Sequence, residues 1–271
     1  MRRSAILPGL VLAGLLSLSA LPLFGATFAG VSVAPGGTVR AQVPLSDLER
    51  SYVAEGGNTS PRHAVAVLAV PAGFDPAKTW PVLVVFSTSD FKRQNRDDLI
   101  NLYRQSGLKQ GWVLLAGDGP EPARQDSSGW RAGMTLAALD ALHRSFPGSN
   151  KWPIACAGYS GGAKRTGLLA PLLSLAGNRV IGIFLTGLNE DKLTEGYRKY
   201  KPGADFLRTP VFLSTGALDK IAPPPTQNEV KHSMQNTGFG RVRQETFPEG
   251  HVVKRTHIVE ALRWFREQAG V

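Results

Sequence analysis

Cysteine is almost absent: Cys156 stands alone in 271 residues, which excludes an internal disulfide framework. No Cys/His cluster has the spacing of a zinc site. Charge is sparse as well, at 19% Asp, Glu, Lys and Arg, and the first 41 residues contain no acid. Thirty-one basic against 21 acidic residues leave a net charge of +10, but the cations are scattered. The densest groups, Lys92-Arg93 and Arg198-Lys199-Tyr200-Lys201, read as solvated surface, so no nucleic-acid partner is expected. Beyond the N-terminus there is no second long apolar run, which excludes a multi-span membrane protein. What is present is 42% hydrophobic residues, including 12 Phe and 5 Trp. That is enough to bury a sizeable core and excludes intrinsic disorder.

The N-terminus reads as a targeting segment. Arg2-Arg3 forms a short basic region ahead of an uncharged, Leu/Ala/Gly-rich stretch over 4–39, weakened as a helix by Pro8, Gly14 and Pro22. Small-residue cleavage sites follow Ala29 and Ala41. The second is expected, because polar sequence begins at Gln42. The expected division is therefore a signal peptide over 1–41 and one domain over 42–271, secreted or periplasmic, without stable membrane association once the signal is cleaved. An uncleaved membrane anchor is the alternative.

The rest alternates two periodicities. Apolar runs at 63–70, 81–86, 112–116, 153–157, 180–185, 211–214 and 242–247 predict strands. Helical spacing appears over 97–105, 132–146, 161–176, 230–235 and 258–268. Unbroken apolar strands separated by helices imply an α/β fold: one domain, with a mostly parallel central sheet and helices on both faces. The segment between Pro71 and Pro81 is turn-rich and reads as a hairpin pattern.

Gly158-Tyr159-Ser160-Gly161-Gly162 matches G-x-S-x-G, with an apolar strand leading in and a helix leading out. Such a turn needs its glycines, because a Cβ beside the reversal would clash. It also lifts a serine hydroxyl above the strand ends and aims a helix N-terminus at negative charge. A serine hydroxyl is inert at neutral pH without a base, and the base needs a carboxylate to orient it.

At this point the chain resembles the α/β-hydrolase superfamily, whose partners follow in the order serine, acid, histidine. Asp219, after the strand at 211–214, stands at the family's usual acid position, and His251, after the last strand, at its histidine position. The resemblance spans about residues 60–270 and is nearest to small secreted esterases and the dienelactone-hydrolase or polyhydroxyalkanoate-depolymerase branch. Dienelactone hydrolases use a cysteine nucleophile, so Ser160 argues against that activity. The resemblance implies a serine hydrolase of small-molecule or polymeric carboxylic esters with a minimal cap and no cofactor or metal. A peptidase or amidase on the same triad, or a catalytically silent binding protein of the cell envelope, remains open.

Other candidates compete for these roles. His257 falls inside the last helical pattern, and His63, His143 and His232 read as structural. Glu190 and Asp191 are alternative acids, Asp118 reads as a turn or substrate-side residue, and Cys156 as a buried apolar group. Where the family usually carries His-Gly after its early strand, this chain has Ser87-Thr88. The oxyanion donor there is a backbone N–H, so Thr88 is expected to serve beside Gly161. Tyr159 is expected on the substrate side. Lys164 and Arg165, cations in the first turn of a helix, require an anion. Either a nearby carboxylate or an acidic substrate group could supply it, and Lys164 is the candidate for contacting substrate.

Overall fold

Strands that are apolar on both sides must be covered on both sides, and the computed structural model shows how the cover is built. It describes residues 25–271 except 56, 59–60, 89–92 and 126. A small antiparallel ribbon, β1 (Ala26–Phe28) with β2 (Val31–Val33), precedes β3 (Thr38–Pro44) and α1 (Asp47–Ala54). Next come β4 (His63–Ala69), β5 (Val82–Phe86), and a helical segment of α2 (Asn95–Asp98), a π turn (Leu99–Tyr103) and α3 (Arg104–Lys109). The remainder runs β6 (Val113–Asp118), α4 (Ser128–Ser145), β7 (Ile154–Tyr159), α5 (Gly161–Leu175) and β8 (Val180–Thr186). It continues with α6 (Lys192–Tyr200), β9 (Val211–Gly216), α7 (Pro224–Thr237), β10 (Val242–Phe247) and α8 (Arg255–Ala269).

Eight strands form one sheet in the order β10-β9-β8-β7-β5-β6-β4-β3. From β10 to β6 every neighbour is parallel, while β4 and β3 close the edge antiparallel. The period of two along each strand divides the interior. Val82, Val84 and Phe86 of β5 face one core with α4 and α5, which supply Ala138, Leu142 and Leu169. Leu83 and Val85 face the other, where Tyr103 and, from α8, Leu262 and Phe265 close the layer. The α/β expectation holds. No helix of the described residues is long and apolar enough to cross a membrane.

One expectation, the hairpin over 71–81, needs correction, and the expected N-terminal boundary meets a folded strand. The boundary between Ala41 and Gln42 falls inside β3, which pairs with β4 along its full length, from Thr38 opposite Ala69 to Pro44 opposite His63. Phe28 is fully buried and stacks on Phe146 at 6.4 Å, so a cut after Ala29 would also remove core. The folded part therefore reaches back to β1, while the part of the targeting segment over 1–24 lies outside the described residues. The turn-rich 71–81 stretch does not join a hairpin either. β4 pairs with β6 and β3, so the stretch carries the chain past β6 to β5. The helices α1 and α6 lie in segments where no helical spacing is read from the sequence: both are short and polar overall, buried only along a narrow stripe such as Glu49 and Val53, or Leu193.

A chain started at Gln42 loses β1, β2 and part of β3, together with Phe28. Truncating a buried phenylalanine costs about 3–5 kcal/mol. At roughly 2–4 °C per kcal/mol for a domain of this size, Tm should fall by about 10 °C relative to a chain started at Gly25. Differential scanning calorimetry of the two chains checks this; equal Tm values would mean that the N-terminal strands add nothing.

Candidate active site

The site begins with a backbone reversal. β7 lies between β5 and β8, and its last residue hands over directly to Ser160 at φ 55°, ψ −121°, a region L-residues rarely occupy. The Ser160 N–H donates to Thr186 O at 2.9 Å, and the Ser160 carbonyl accepts from Ala163 N at 2.9 Å, opening α5. The two motif glycines are explained by contact. A Cβ on Gly158 would stand 2.1 Å from Gly162 O, and one on Gly162 would stand 2.3 Å from Phe86 O. The reversal thus presses α5 onto the end of β5, with Ser160 raised above the C-terminal edge of the sheet.

Two further strand ends reach the same point. Asp219, just past β9, and His251, just past β10, meet with His251 Nδ1 and Asp219 Oδ2 at 2.7 Å. His251 Nε2 lies 2.9 Å from Ser160 Oγ. Asp219 is almost fully buried, and its second oxygen accepts from the Ile221 and Ala222 N–H groups, both at 2.8 Å. Burial pushes this carboxyl up, but the Ala222 N–H, the His251 ring and the Ile221 N–H together outweigh it and hold the pKa below its usual value. An ionised Asp219 requires the proton on Nδ1, which leaves Nε2 as the acceptor for the serine O–H. The imidazole has room because Gly187, past β8, takes φ 62°; a Cβ there would stand 2.7 Å from His251 Cε1.

The structure brings Ser160, Asp219 and His251 together and separates the competitors. Asp191 caps α6, accepting from Thr194 N at 3.0 Å and Ser233 Oγ at 2.6 Å. Glu190 is held by Lys192 at 2.7 Å and Lys164 at 3.1 Å, and these two hydrogen bonds pull its pKa down. His257 is buried, with Nδ1 2.9 Å from Ser214 Oγ, and His143 faces Ser149. Cys156 is fully buried, which pushes its thiol pKa far up.

The same contacts show what the two substrate-side candidates meet within the protein. The anion beside Lys164 is Glu190, while Arg165 turns inward to donate to Ser127 O at 2.7 Å. Tyr159 donates its hydroxyl to the His251 carbonyl, and its ring lies 5.0 Å from the imidazole. It braces the histidine. The sequence carries no pattern for that contact, since 92 residues separate the partners.

Gly161 opens α5 immediately after Ser160. Thr88 follows β5, whose Phe86 lies opposite Gly158, so the chain leaves the sheet beside the serine turn. Asp118, at the end of β6, proves to be a buried anchor: its carboxylate accepts from Asn95 N at 2.7 Å and Arg96 N at 2.9 Å. Nearby, Asp98 is fully buried and paired with Arg93 at 2.5 Å. Burial outweighs the Arg93 attraction and raises the Asp98 pKa from 3.8 to about 6.

No protein-family model matches the sequence, and no curated protein matches it. Solved structures match in fold. A ferulic acid esterase gives a TM-score of 0.56 at 14% identity, over 86% of this chain and 98% of that one. A bacterial heroin esterase gives 0.59 at 15% identity, over 86% and 84% of the two chains. A serine hydrolase homologue from Coxiella burnetii gives 0.54 at 12% identity, over 87% and 98%. At such identities the likeness establishes a shared fold.

Asp98 also makes stability depend on pH. Its folded pKa lies above the unfolded value, so its stabilising contribution is complete below pH 3.8 and is lost as pH rises through about 6. Asp98→Asn cannot titrate. Its stability relative to the parent should therefore improve as pH rises from 4 to 7, by about 3 kcal/mol at most. Urea unfolding of both proteins at several pH values measures the difference; one that stays flat contradicts the burial argument.

Proposed function

On the premise that the chain has the α/β-hydrolase fold, we propose that it is a serine hydrolase of carboxylic esters. The carrying observation is the relay of 2.9 and 2.7 Å from Ser160 through His251 to Asp219. His251 Nε2 takes the proton as Ser160 Oγ attacks the carbonyl carbon, and Asp219 stabilises the imidazolium that forms. The Gly161 and Thr88 N–H groups receive the developing oxyanion. Collapse of the tetrahedral intermediate expels the alcohol, which takes the proton from His251. Water then adds to the acyl-enzyme by the reverse sequence, releasing the acid and restoring the serine. The sequence of steps uses no metal or cofactor. The basic, uncharged-then-polar N-terminus supports action outside the cytoplasm.

The rim supports the choice of esters with an apolar portion. Leu218 and Ile221, flanking the acid, are 68% and 61% exposed, and Val252, beside the histidine, is also exposed. An apolar acyl or alcohol group placed there leaves water, at about 25 cal/mol per Å² of buried surface. The segment between β8 and β9 spends its length on α6, which packs on α5, so it does not cover these residues.

Ser160→Ala and His251→Ala should each lower kcat on p-nitrophenyl esters by at least about 10³-fold while the unfolding transition is retained. Asp219→Asn should lose less than Ser160→Ala, and Asp191→Asn should stay within about twofold of the parent. A fluorophosphonate probe should label the parent and not Ser160→Ala. If Asp191→Asn is the more damaging acid variant, the assignment of Asp219 is wrong. Matched amides assayed beside the esters test the leaving group.

The exposed rim gives a second expectation. Hydrolysis of soluble short-chain esters should rise smoothly with concentration through the solubility limit. A sharp rate increase at that limit would require a lid.

A further inference from the structure

The chain leaving β5 is gripped by a buried charged cluster that the proposed reaction does not use. Arg131 of α4 is 4% exposed and Asp118 of β6 is 1% exposed, and they lie 3.6 Å apart. Arg131 donates to Ser87 Oγ at 3.1 Å, to Asn95 Oδ1 at 2.9 Å and to Arg93 O at 2.9 Å. Asn95 Oδ1 also accepts from the Ser87 N–H at 2.9 Å, while its Nδ2 donates to Gly117 O at 2.9 Å. Both the peptide nitrogen and the side chain of Ser87 are therefore held from within. The neighbouring residue on the other side, Phe86, lies against Gly162 of the serine turn.

We infer that Asn95 and Arg131 are positioning residues for the oxyanion: by fixing Ser87 they aim the Thr88 N–H at the point faced by the Gly161 N–H. The inference rests on the serine-hydrolase reading. A buried cation and anion cost several kcal/mol of desolvation each, and an apolar filling would hold the same volume with less loss. What the ions add is direction. Three donors of one planar guanidinium reach three acceptors on the 87–95 segment and tie it to β6. Among the described residues, the pairing of β5 ends at Phe86.

The test compares Asn95→Ala and Arg131→Lys with the parent in thermal unfolding, in kcat and KM on p-nitrophenyl butyrate, and in inhibition by phenylboronic acid. The boronate forms a tetrahedral adduct on the serine and so reports the oxyanion site directly. Asn95→Ala is expected to lose about 10²-fold in kcat, as for loss of one oxyanion donor. KM should stay within about threefold, and boronate affinity should fall along with kcat. Arg131→Lys keeps a cation for Asp118 but not the fork, and should lose about tenfold with the same split; it decides the matter if Asn95→Ala does not fold. Parent-like kcat in a folded variant overturns the inference, as does a loss of kcat with boronate affinity unchanged. A parent that neither hydrolyses the ester nor takes the fluorophosphonate label overturns the hydrolase reading itself.

Discussion

Between β7 and α5 the chain turns back within one residue, and Ser160 absorbs the whole reversal in a left-handed conformation. Such a conformation costs of the order of 1–3 kcal/mol and persists only where its surroundings over-determine it. Here they do. β7 is held on both sides by parallel neighbours, the Ser160 N–H is bound to Thr186 O, and α5 is pressed onto Phe86 through Gly162. The strain is thus offset by the central sheet, and the reversal leaves the hydroxyl 2.9 Å from His251 Nε2. Every other group of the site is arranged around that fixed point.

The arrangement follows from parallel strands. Their C-terminal ends lie side by side, so loops that are remote in sequence open onto one edge. β8 contributes Gly187, whose missing Cβ makes space for the imidazole; β9 contributes the acid and β10 the histidine. The acid is held below its usual pKa by the Ala222 N–H, the His251 ring and the Ile221 N–H, which together outweigh its burial. Stability comes from elsewhere, from two apolar layers separated by the sheet and built on alternate residues of the same strands. Because the layers carry the fold, the edge can hold buried polar groups that work against stability, including Asp98, Asp118 and Arg131.

Reading the sequence located the strand–serine–helix turn and the alternation of strands and helices, because each is written in short-range patterns, while the order of the serine's partners came from the family resemblance. G-x-S-x-G names its own geometry, since only glycine tolerates the approaches found at 158 and 162. Unbroken apolar runs identify buried strands, although not which strands are neighbours; β4 pairing past β5 with β6 had no local mark. The N-terminal segment meets a related limit. An uncharged small-residue stretch looks alike as a leader and as edge strands, and only the pairing of β3 with β4 and the burial of Phe28 distinguish them.

The functional details divide along the same line. Ser160 could be read from its own motif, and Asp219 and His251 from the places after their strands that the family resemblance implies. The partners of Lys164, Tyr159, Asp118 and Arg131 could not, since an exposed or buried polar residue carries no sign of what it will meet. Lys164 found Glu190 across a loop, Tyr159 found a carbonyl 92 residues away, and Arg131 found partners 36 to 44 residues earlier. Hydrogen bonds are short and directional, whereas sequence patterns report only burial and local backbone preference. The sequence by itself determined which residues could do the chemistry; the packing of strand ends decided which of them are held in place to do it.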